Sequence, residues 1–489
     1  MSNLMSLPDE VITIILQKLP IRDRMTSCCP VNKRLHAAAV AATVEIHISK
    51  SHRVESGLQW MRHYGQHVTR LTLRDFSQPL QQLPCPALQD LDIADGSVQL
   101  GPGVDRYAGI ARTCTNLTRL VLYCDIIDNW GHSKGAVLDC LSSLVHLQHL
   151  KVQPHKALST WSSVGGLSEA TLPCLAPKLT YLHIDSLSTA NLLQLSVLTN
   201  LQELCLPPPS DDMGLLLGPV YLGPSSLPGL VLPESLTKLV LLCEIEAAML
   251  SLVPTGLKVL DMGAVDGPVE GPGSLLSYMA GLQHLTKLGI DQNYDWPPAG
   301  PAYSALTASS SLVSLGLSHY TLTAGIWPHV FPSTRKLLQL TCLEFTDEWN
   351  EFDLPSAWGA VDVSSLVSCC PNLRKLGDLF MQQGAHVSEL HKLTDLTRLS
   401  VTYGTAEVTS FQQSFQGLAS LTQVQDMCIM LESRELSMGA LLPLTRLTAL
   451  TALLCCCWPV YGGRASFDFQ VRGLAVARGS FFWRGACYK

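Results

Sequence analysis

The chain has 489 residues, of which 47% are hydrophobic and 15% are charged, so a large apolar core is available. Its formal net charge of -7 argues against nucleic acid as the main partner, because binding a phosphate backbone needs surplus cations. No run approaches the roughly 18 apolar residues of a membrane-spanning helix, and we expect no membrane partner.

The first residues carry neither the basic segment nor the apolar segment of a secretory leader. The 17 cysteines are scattered over apolar positions of the chain. We therefore expect buried, reduced thiols in a protein of the cytoplasm, the nucleus or both.

Residues 1–42 are predicted to form three short helices. Pro8 suits the first turn of a helix, and apolar residues follow it at helical spacing. Pro20 disfavours continuation of this helix, Asp23 can cap a second one, and Pro30 can open a third. So small a unit buries little apolar surface and would gain stability by packing on another body. The apolar positions of the first and third helices are Val11, Ile12, Ile15, Leu16, Leu19, Val31 and Leu35.

A strand is predicted directly after the helices, because Ile46 and Ile48 alternate with polar residues. We expect Ile46 to align in register with Leu71, and Leu58 and Met61 to lie on a helix behind the strand. No flexible linker separates the helices from this strand, so we expect a rigid junction.

The rest of the chain repeats one phrase: an apolar residue, two spacers, an apolar residue, one spacer and an apolar residue. The mean spacing is about 27 residues. Alternate side chains of a strand point to one side, so the last two apolar positions of the phrase, such as Leu71 and Leu73, share one face and the spacers beside them form the other. One strand and one helix cannot bury this apolar face alone, so neighbouring phrases have to stack. The fifteen phrases begin at Val68, Leu88, Leu117, Leu147, Leu179, Leu201, Leu236, Leu257, Leu285, Leu312, Leu340, Leu373, Leu396, Val424 and Leu447.

This phrase and period are those of leucine-rich repeats. They predict an α/β fold: an irregular solenoid over residues 43–454, of about 15–16 repeats, with parallel strands on a concave side and helices on a convex side. The stretches 207–235, 263–273 and 291–301 are rich in Pro and Gly and are expected to be loops. The leucine phrase does not recur in residues 455–489. We expect an irregular tail there, either poorly ordered or with a last strand at 467–476.

The N-terminal segment resembles an F-box over residues 5–42. The chain departs from the family pattern at Asn32, where a small residue is usual, at Leu35, where Trp is usual, and at Pro30. All three departures fall on the predicted third helix, whereas the first helix matches the pattern throughout. The resemblance rests on Leu7-Pro8-Asp9-Glu10-Val11-Ile12, Ile15-Leu16, Leu19-Pro20, Arg22-Asp23 and Val31-Asn32-Lys33-Arg34-Leu35.

An F-box followed by leucine-rich repeats is the layout of the F-box/LRR family. The resemblance implies the substrate receptor of an SCF-type E3 ubiquitin ligase, which binds a Skp1-like adaptor and, through it, the cullin and RING subunits. Spacing and composition alone predict only a small helical unit beside a long binding surface, and a helical cap on the solenoid is the alternative. The adaptor-binding residues implied by the resemblance are Leu7, Pro8, Val11, Ile15, Leu16, Leu19, Val31 and Leu35.

Spacer residues of the strands are expected to face the concave side, where a protein substrate would bind. The group nearest the N-terminus is a modest positive patch suited to an acidic or phosphorylated segment, with ordinary solvated side chains as the alternative. Its members are Arg70, Arg74, Arg119, Tyr123, His149, Lys151 and His183. Farther along the chain the face includes Asp261, Lys287, Asp291, His319, Tyr320 and Glu344.

No catalytic or metal-binding constellation is evident. Cys28-Cys29, Cys369-Cys370 and Cys455-Cys456-Cys457 lack the Cys-x-x-Cys spacing of a zinc site, and no phosphate-binding loop occurs. We therefore expect a non-catalytic subunit without cofactor or metal. The alternative function is a leucine-rich-repeat scaffold outside any ligase, for instance on cytoskeletal or ciliary assemblies.

Overall fold

The structure, a computed structural model, forms two compact units, Met1–Leu236 and Thr237–Lys489. In both units parallel strands alternate with helices and helical turns, which confirms an α/β fold and is compatible with a solenoid-like construction. The structure describes residues 6–19, 23, 27–28, 30–49, 51–76, 83, 85–95, 108–123, 139–153, 171–184, 189–206, 222–225, 227–241, 243, 245–263, 265–269, 271, 273–290, 296, 298–318, 325–346, 358–381, 384–403, 415–431, 443–457 and 467–472.

The helices beyond the first fifty residues are mostly single turns, too short to be stable without the sheet that they cover. The α-helices are α1 (Asp9–Gln17), α2 (Lys33–Ala41), α3 (Ser51–Tyr64), α4 (Ala108–Thr113), α5 (Thr171–Leu175), α6 (Thr189–Leu193), α7 (Leu275–Met279), α8 (Trp327–Val330) and α9 (Ala360–Cys369). Turns of 3-10 helix occupy Gly65–His67, Asp139–Ser143, Leu195–Val197, Ala247–Leu252, Pro301–Thr307 and Gly384–Lys392.

The first unit contains a parallel sheet whose strands lie in chain order. Ile46 aligns with Leu71, so the predicted register of the first strand is confirmed. Met61 on the following helix is fully buried, also as predicted. The strands are β1 (Glu45–Ile48), β2 (Arg70–Phe76), β3 (Asp90–Asp95), β4 (Arg119–Tyr123), β5 (His149–Gln153), β6 (Tyr181–Ile184) and β7 (Glu203–Leu206).

The second unit continues the same pattern, with two departures. A separate pair of short strands, β9 (Ile245–Glu246) and β11 (Val265–Asp266), lies apart from the main sheet. The main sheet ends in an antiparallel strand, β19 (Phe467–Arg472), so a strand does occur within the predicted tail. The parallel strands are β8 (Lys238–Leu241), β10 (Val259–Met262), β12 (Lys287–Ile290), β13 (Ser314–Ser318), β14 (Cys342–Thr346), β15 (Lys375–Met381), β16 (Arg398–Tyr403), β17 (Asp426–Leu431) and β18 (Ala452–Cys457).

The last phrase begins three residues later than predicted. Met427 aligns with Leu453, so the phrase starts at Leu450 and not at Leu447. The prediction was ambiguous here because leucines recur every third residue from Leu444 to Leu453. Only the pairing with the preceding strand selects one of these registers.

The core of each sheet is a row of leucines that strand pairing brings side by side. Each is almost fully buried, and burying one such side chain contributes about 1.5–3 kcal/mol. In the first unit the row is Leu71, Leu91, Leu120, Leu150, Leu182 and Leu204; in the second it is Leu239, Leu260, Leu288, Leu315 and Leu343.

Backbone hydrogen bonds at the strand entrances join each repeat to the one before it. Two consecutive N–H groups, those of Gln148 and His149, donate to the carbonyl of Thr118 at 2.8 and 3.0 Å, and parallel strands of both units repeat this arrangement. Threonine hydroxyls at the entrances donate to the same carbonyls as a third donor. These threonines are Thr69, Thr118, Thr180, Thr286, Thr341, Thr397 and Thr451.

The N-terminal helices pack directly on the first repeat. The Asn32 side chain accepts from the Leu35 N–H at 2.8 Å and so caps α2. The hydroxyl of Thr43 donates to the carbonyl of Ala39 at 2.8 Å at the end of this helix. The rings of His36 and Tyr64 meet edge to face, with centroids 5.5 Å apart. The predicted second helix, around Asp23, lies mostly outside the described residues.

Candidate functional site

The polar face of the first unit's sheet is the side opposite its leucine row. Strand pairing aligns the spacer residues into rows that cross the strands. One of them, the charged row, consists of Glu45, Arg70, Asp90, Arg119, His149, Tyr181 and Glu203. The next, the lysine row, consists of Thr72, Asp92, Val121, Lys151, His183 and Cys205. A third row contains Arg74, Ala94, Tyr123 and Gln153. All the residues predicted for the positive patch therefore share this face.

Ion pairs run along the charged row. Arg70 lies 3.7 Å from Glu45 and 3.1 Å from Asp90, and Arg119 donates to the other Asp90 oxygen at 2.7 Å. In the neighbouring rows the Arg74 guanidinium donates to Asp92 at 3.2 Å. Each arginine of the predicted patch therefore has a carboxylate partner.

Sequence reasoning missed the acids that balance these bases. Among the described residues of the face, Arg70, Arg74, Arg119 and Lys151 stand against Glu45, Asp90, Asp92 and Glu203. A signal was available, because Asp90 and Asp92 alternate with Leu91 and Ile93 in the weak phrase that begins at Leu88. That alternation places both aspartates on the polar face. The face is thus mixed in charge and not uniformly positive.

Aromatic and imidazole rings cover the centre of the face. His149 and Tyr181 stack with ring centroids 3.8 Å apart and planes 7° from parallel. The Tyr123 ring has the Arg74 guanidinium 5.6 Å and the Lys151 ammonium 5.3 Å from its centroid, both within cation–π range. Such rings offer a partner large contact area at low cost in conformational entropy.

The half-buried imidazole of His149 is uncharged at neutral pH. Burial lowers the pKa of His149 from 6.5 to about 4, and the nearby Arg119 guanidinium lowers it further against the opposing effect of Asp90. Its Nε2 atom has no hydrogen-bond partner among the described residues. The stack with Tyr181 is therefore a contact of two neutral rings.

This shift predicts that the stability of the first unit falls as the pH is lowered from 6.5 to about 4. Above pH 6.5 His149 is neutral in both states, whereas within the window the unfolded chain binds a proton that the folded one does not. Replacing His149 with Gln should flatten the dependence there, measured by urea unfolding at several pH values. An equal acid sensitivity in the variant would contradict this assignment.

The second unit's polar face also carries ion pairs. Lys287 lies 3.8 Å from Asp261, and Lys375 forms an ion pair with Glu344 that raises the pKa of the lysine. The predicted face residues Asp261, Lys287 and Glu344 thus lie on this face. The predicted Asp291, His319 and Tyr320 lie outside the described residues.

Two glycines make room for the acids of that face. A Cβ on Gly289 would lie 2.5 Å from the Asp261 carboxylate, and one on Gly377 would lie 3.4 Å from the Glu344 backbone. A side chain at Gly289 would therefore displace Asp261 from its place beside Lys287.

The predicted adaptor-binding residues divide into two groups. Pro8, Val11, Ile15, Leu19 and Val31 are exposed. In contrast, Leu16 and Leu35 are only 2% and 6% exposed and, with Leu7 partly buried beside them, belong to the small core between α1 and α2. That core consists of Ile12, Leu16, Leu35, Ala38, Ala39 and Ala42.

Sequence reasoning also missed Ile14, which is the most exposed large apolar residue of α1 at 56%. The side chains of Val11, Ile14 and Ile15 lie three and four positions apart, so they form one stripe on the helix. The core residues Ile12 and Leu16 form an adjacent stripe. The helical spacing of the apolar residues could have predicted that Ile14 belongs to a stripe. It does not indicate which of the two stripes faces the core.

The remaining chemistry of the described residues is structural. Cys85, Cys114, Cys369 and Cys370 are free thiols. Burial, with a smaller effect of Cys114, raises the pKa of Cys85 to about 12, so this thiol stays protonated. Within the described ranges no three His, Cys, Asp or Glu side chains come together as a metal site. None of the helices in this part of the chain has the length and apolarity to cross a membrane.

The chain was compared with known families and proteins. No protein-family profile matches it. No curated protein sequence matches it significantly.

Proposed function

We propose that this chain is the substrate-recognition subunit of an SCF-type ubiquitin ligase. Residues 6–42 would bind a Skp1-like adaptor, and the polar face of the first unit would bind a protein substrate. The chain itself would be non-catalytic, because ubiquitin transfer would belong to the cullin and RING partners recruited through the adaptor.

The observation that carries this proposal is the apolar stripe of α1. Val11, Ile14 and Ile15 are exposed side by side, and Leu19 and Val31 are exposed as well. In the described part of this unit, α1 and α2 share a core of six buried residues, which leaves little stability to offset exposed isoleucines. A contiguous apolar surface on a small unit is typical of a protein-binding site.

The junction with the first repeat supports the same function. Arg34 donates to Asp9 at 2.5 Å and to the Leu7 carbonyl at 2.6 Å, which fastens α2 to the start of α1. The contact of His36 with Tyr64 then joins this pair of helices to α3. A receptor needs such a junction, because substrate bound by the first unit has to be held at a fixed distance from the adaptor.

We expect the double change Ile14→Asp and Ile15→Asp to abolish co-precipitation of Skp1 with the full chain. Two carboxylates in the centre of an apolar interface would be desolvated without partners, at a cost of several kcal/mol. Both positions face solvent, so α1 should keep its amide protection in hydrogen exchange.

The matched control is Val145→Asp, because Val145 is also 56% exposed and lies on a turn of the same unit. It should leave Skp1 capture unchanged. Wild-type chain that fails to capture Skp1, or a double variant that still captures it, would reject the ligase function and favour a scaffold built on the same repeats.

A further inference from the structure

Lys151 differs from every other cation described on the polar face of the first unit. The three arginines of that face have carboxylate partners within 4 Å. The Lys151 ammonium has the Tyr123 ring as its described contact and no ion pair with any described carboxylate. It is therefore the cation of this face whose charge the sheet does not neutralise.

No carboxylate adjoins Lys151 in its row or on its strand. Val121 and His183 flank it in the lysine row, and His149 precedes it on the strand. The acids on either side, Asp92 and Glu203, stand two strands away, about 10 Å at the usual strand spacing. Arg119 and Lys151 both oppose protonation of His149, so no second positive charge arises there.

Two side chains able to form hydrogen bonds adjoin Lys151: Tyr123, whose ring it contacts, and Gln153, two residues farther along the same strand. Gln153 and His183 are joined through their Nε2 atoms at 2.8 Å, which holds the Gln153 amide beside the lysine row. The Tyr123 hydroxyl makes no hydrogen bond to the described part of the chain. A lysine, a phenol and an amide can together receive an oxyanion.

We propose that Lys151, framed by Tyr123 and Gln153, receives a single anionic side chain of the protein partner, a carboxylate or a phosphate ester. This inference rests on the proposed role of the polar face in binding substrate. It assigns anion binding on this face to Lys151, because Arg70, Arg74 and Arg119 are already paired with carboxylates of the sheet. The bound anion would be the counter-ion of Lys151.

A peptide fits this surface better than a nucleic acid. A polyanion laid across the face would meet Glu45, Asp90, Asp92 and Glu203 as well as the bases, and these like charges would repel its phosphates. A peptide can place one anion at Lys151 and set neutral or basic residues against the acids. The stacked rings of His149 and Tyr181 lie next to this position for its apolar residues.

The test measures binding of the full chain to three pools of short peptides, randomised except for a central glutamate, phosphoserine or glutamine. We expect one of the anionic pools to bind about tenfold more tightly than the glutamine pool, as for one charge-assisted hydrogen bond. Lys151→Met should remove this preference, and Lys151→Gln should do the same. The pool that binds better identifies the anion as a carboxylate or a phosphate.

The matched control is Arg70→Met, which removes a paired cation three strands away, about 14 Å, and beyond the screening length of about 8 Å at physiological salt. It should retain the preference. The proposal is overturned if the pools bind equally, if Lys151→Met keeps the preference, or if a single-stranded oligonucleotide binds more tightly than every pool. The Ile14→Asp, Ile15→Asp variant should keep the preference too, so failure of Skp1 capture and failure of anion binding are separate results.

Discussion

Replacing Leu288 with Asp should unfold several repeats of the second unit. Leu288 is 1% exposed and stands between Leu260 and Leu315 in the leucine row. Loss of the leucine side chain lowers the free energy of unfolding by about 2–5 kcal/mol. An uncompensated buried carboxylate lowers it by about 3–5 kcal/mol more. The sum is comparable with the whole stability of a domain, about 5–15 kcal/mol.

Hydrogen exchange should show this loss first in the strands on either side, β10 and β13, because each covers one flank of Leu288. Lys287→Gln is the matched control: it changes the preceding residue on the opposite face and breaks only the exposed pair with Asp261, worth about 0–1 kcal/mol. Leu288→Ala should give a partial loss. Full protection of β10 and β13 in the aspartate variant would contradict the assignment of this row as core.

Replacing Leu16 with Ala should unfold the N-terminal helices and leave the sheet intact. Leu16 belongs to a core of only six buried residues, and the change costs about 2–5 kcal/mol. So small a core has no redundancy, because few other contacts remain to hold α1 against α2. Amide protection in Asp9–Gln17 and Lys33–Ala41 should disappear while that of β2 to β5 persists.

The paired control is Ile14→Ala, on the same helix but exposed, which should change stability by no more than about 0.5 kcal/mol. The contrast matters for the adaptor proposal. A polar change at Leu16 would prevent Skp1 binding by unfolding the site, so only changes in the exposed stripe report on the interface itself. If Leu16→Ala leaves α1 protected while Ile14→Ala does not, the two stripes have been assigned the wrong way round.

The sequence by itself determined the repeating α/β architecture, because that architecture depends on local spacing. Leucines two positions apart, such as Leu120 and Leu122, lie on one face of a strand, and the stacking of repeats follows from the need to cover that face. The alignment of Ile46 with Leu71 could be predicted for the same reason. The alternation also placed the spacer residues from Arg70 to His183 on one polar face.

Tertiary structure alone decided which of these side chains can contact a partner and which are engaged within the protein. The partners of Arg70 and Arg119 come from other strands, and side chains 20 and 29 residues apart meet only when the strands pair. The last phrase could begin at Leu447 or Leu450 until its alignment with Met427 selected one register. Helix α1 has two adjacent apolar stripes, and the pattern is the same whichever one packs on α2. Leu16 faces the core and Ile14 the solvent because α2 packs against only one side of α1, and that choice depends on contacts distant in sequence.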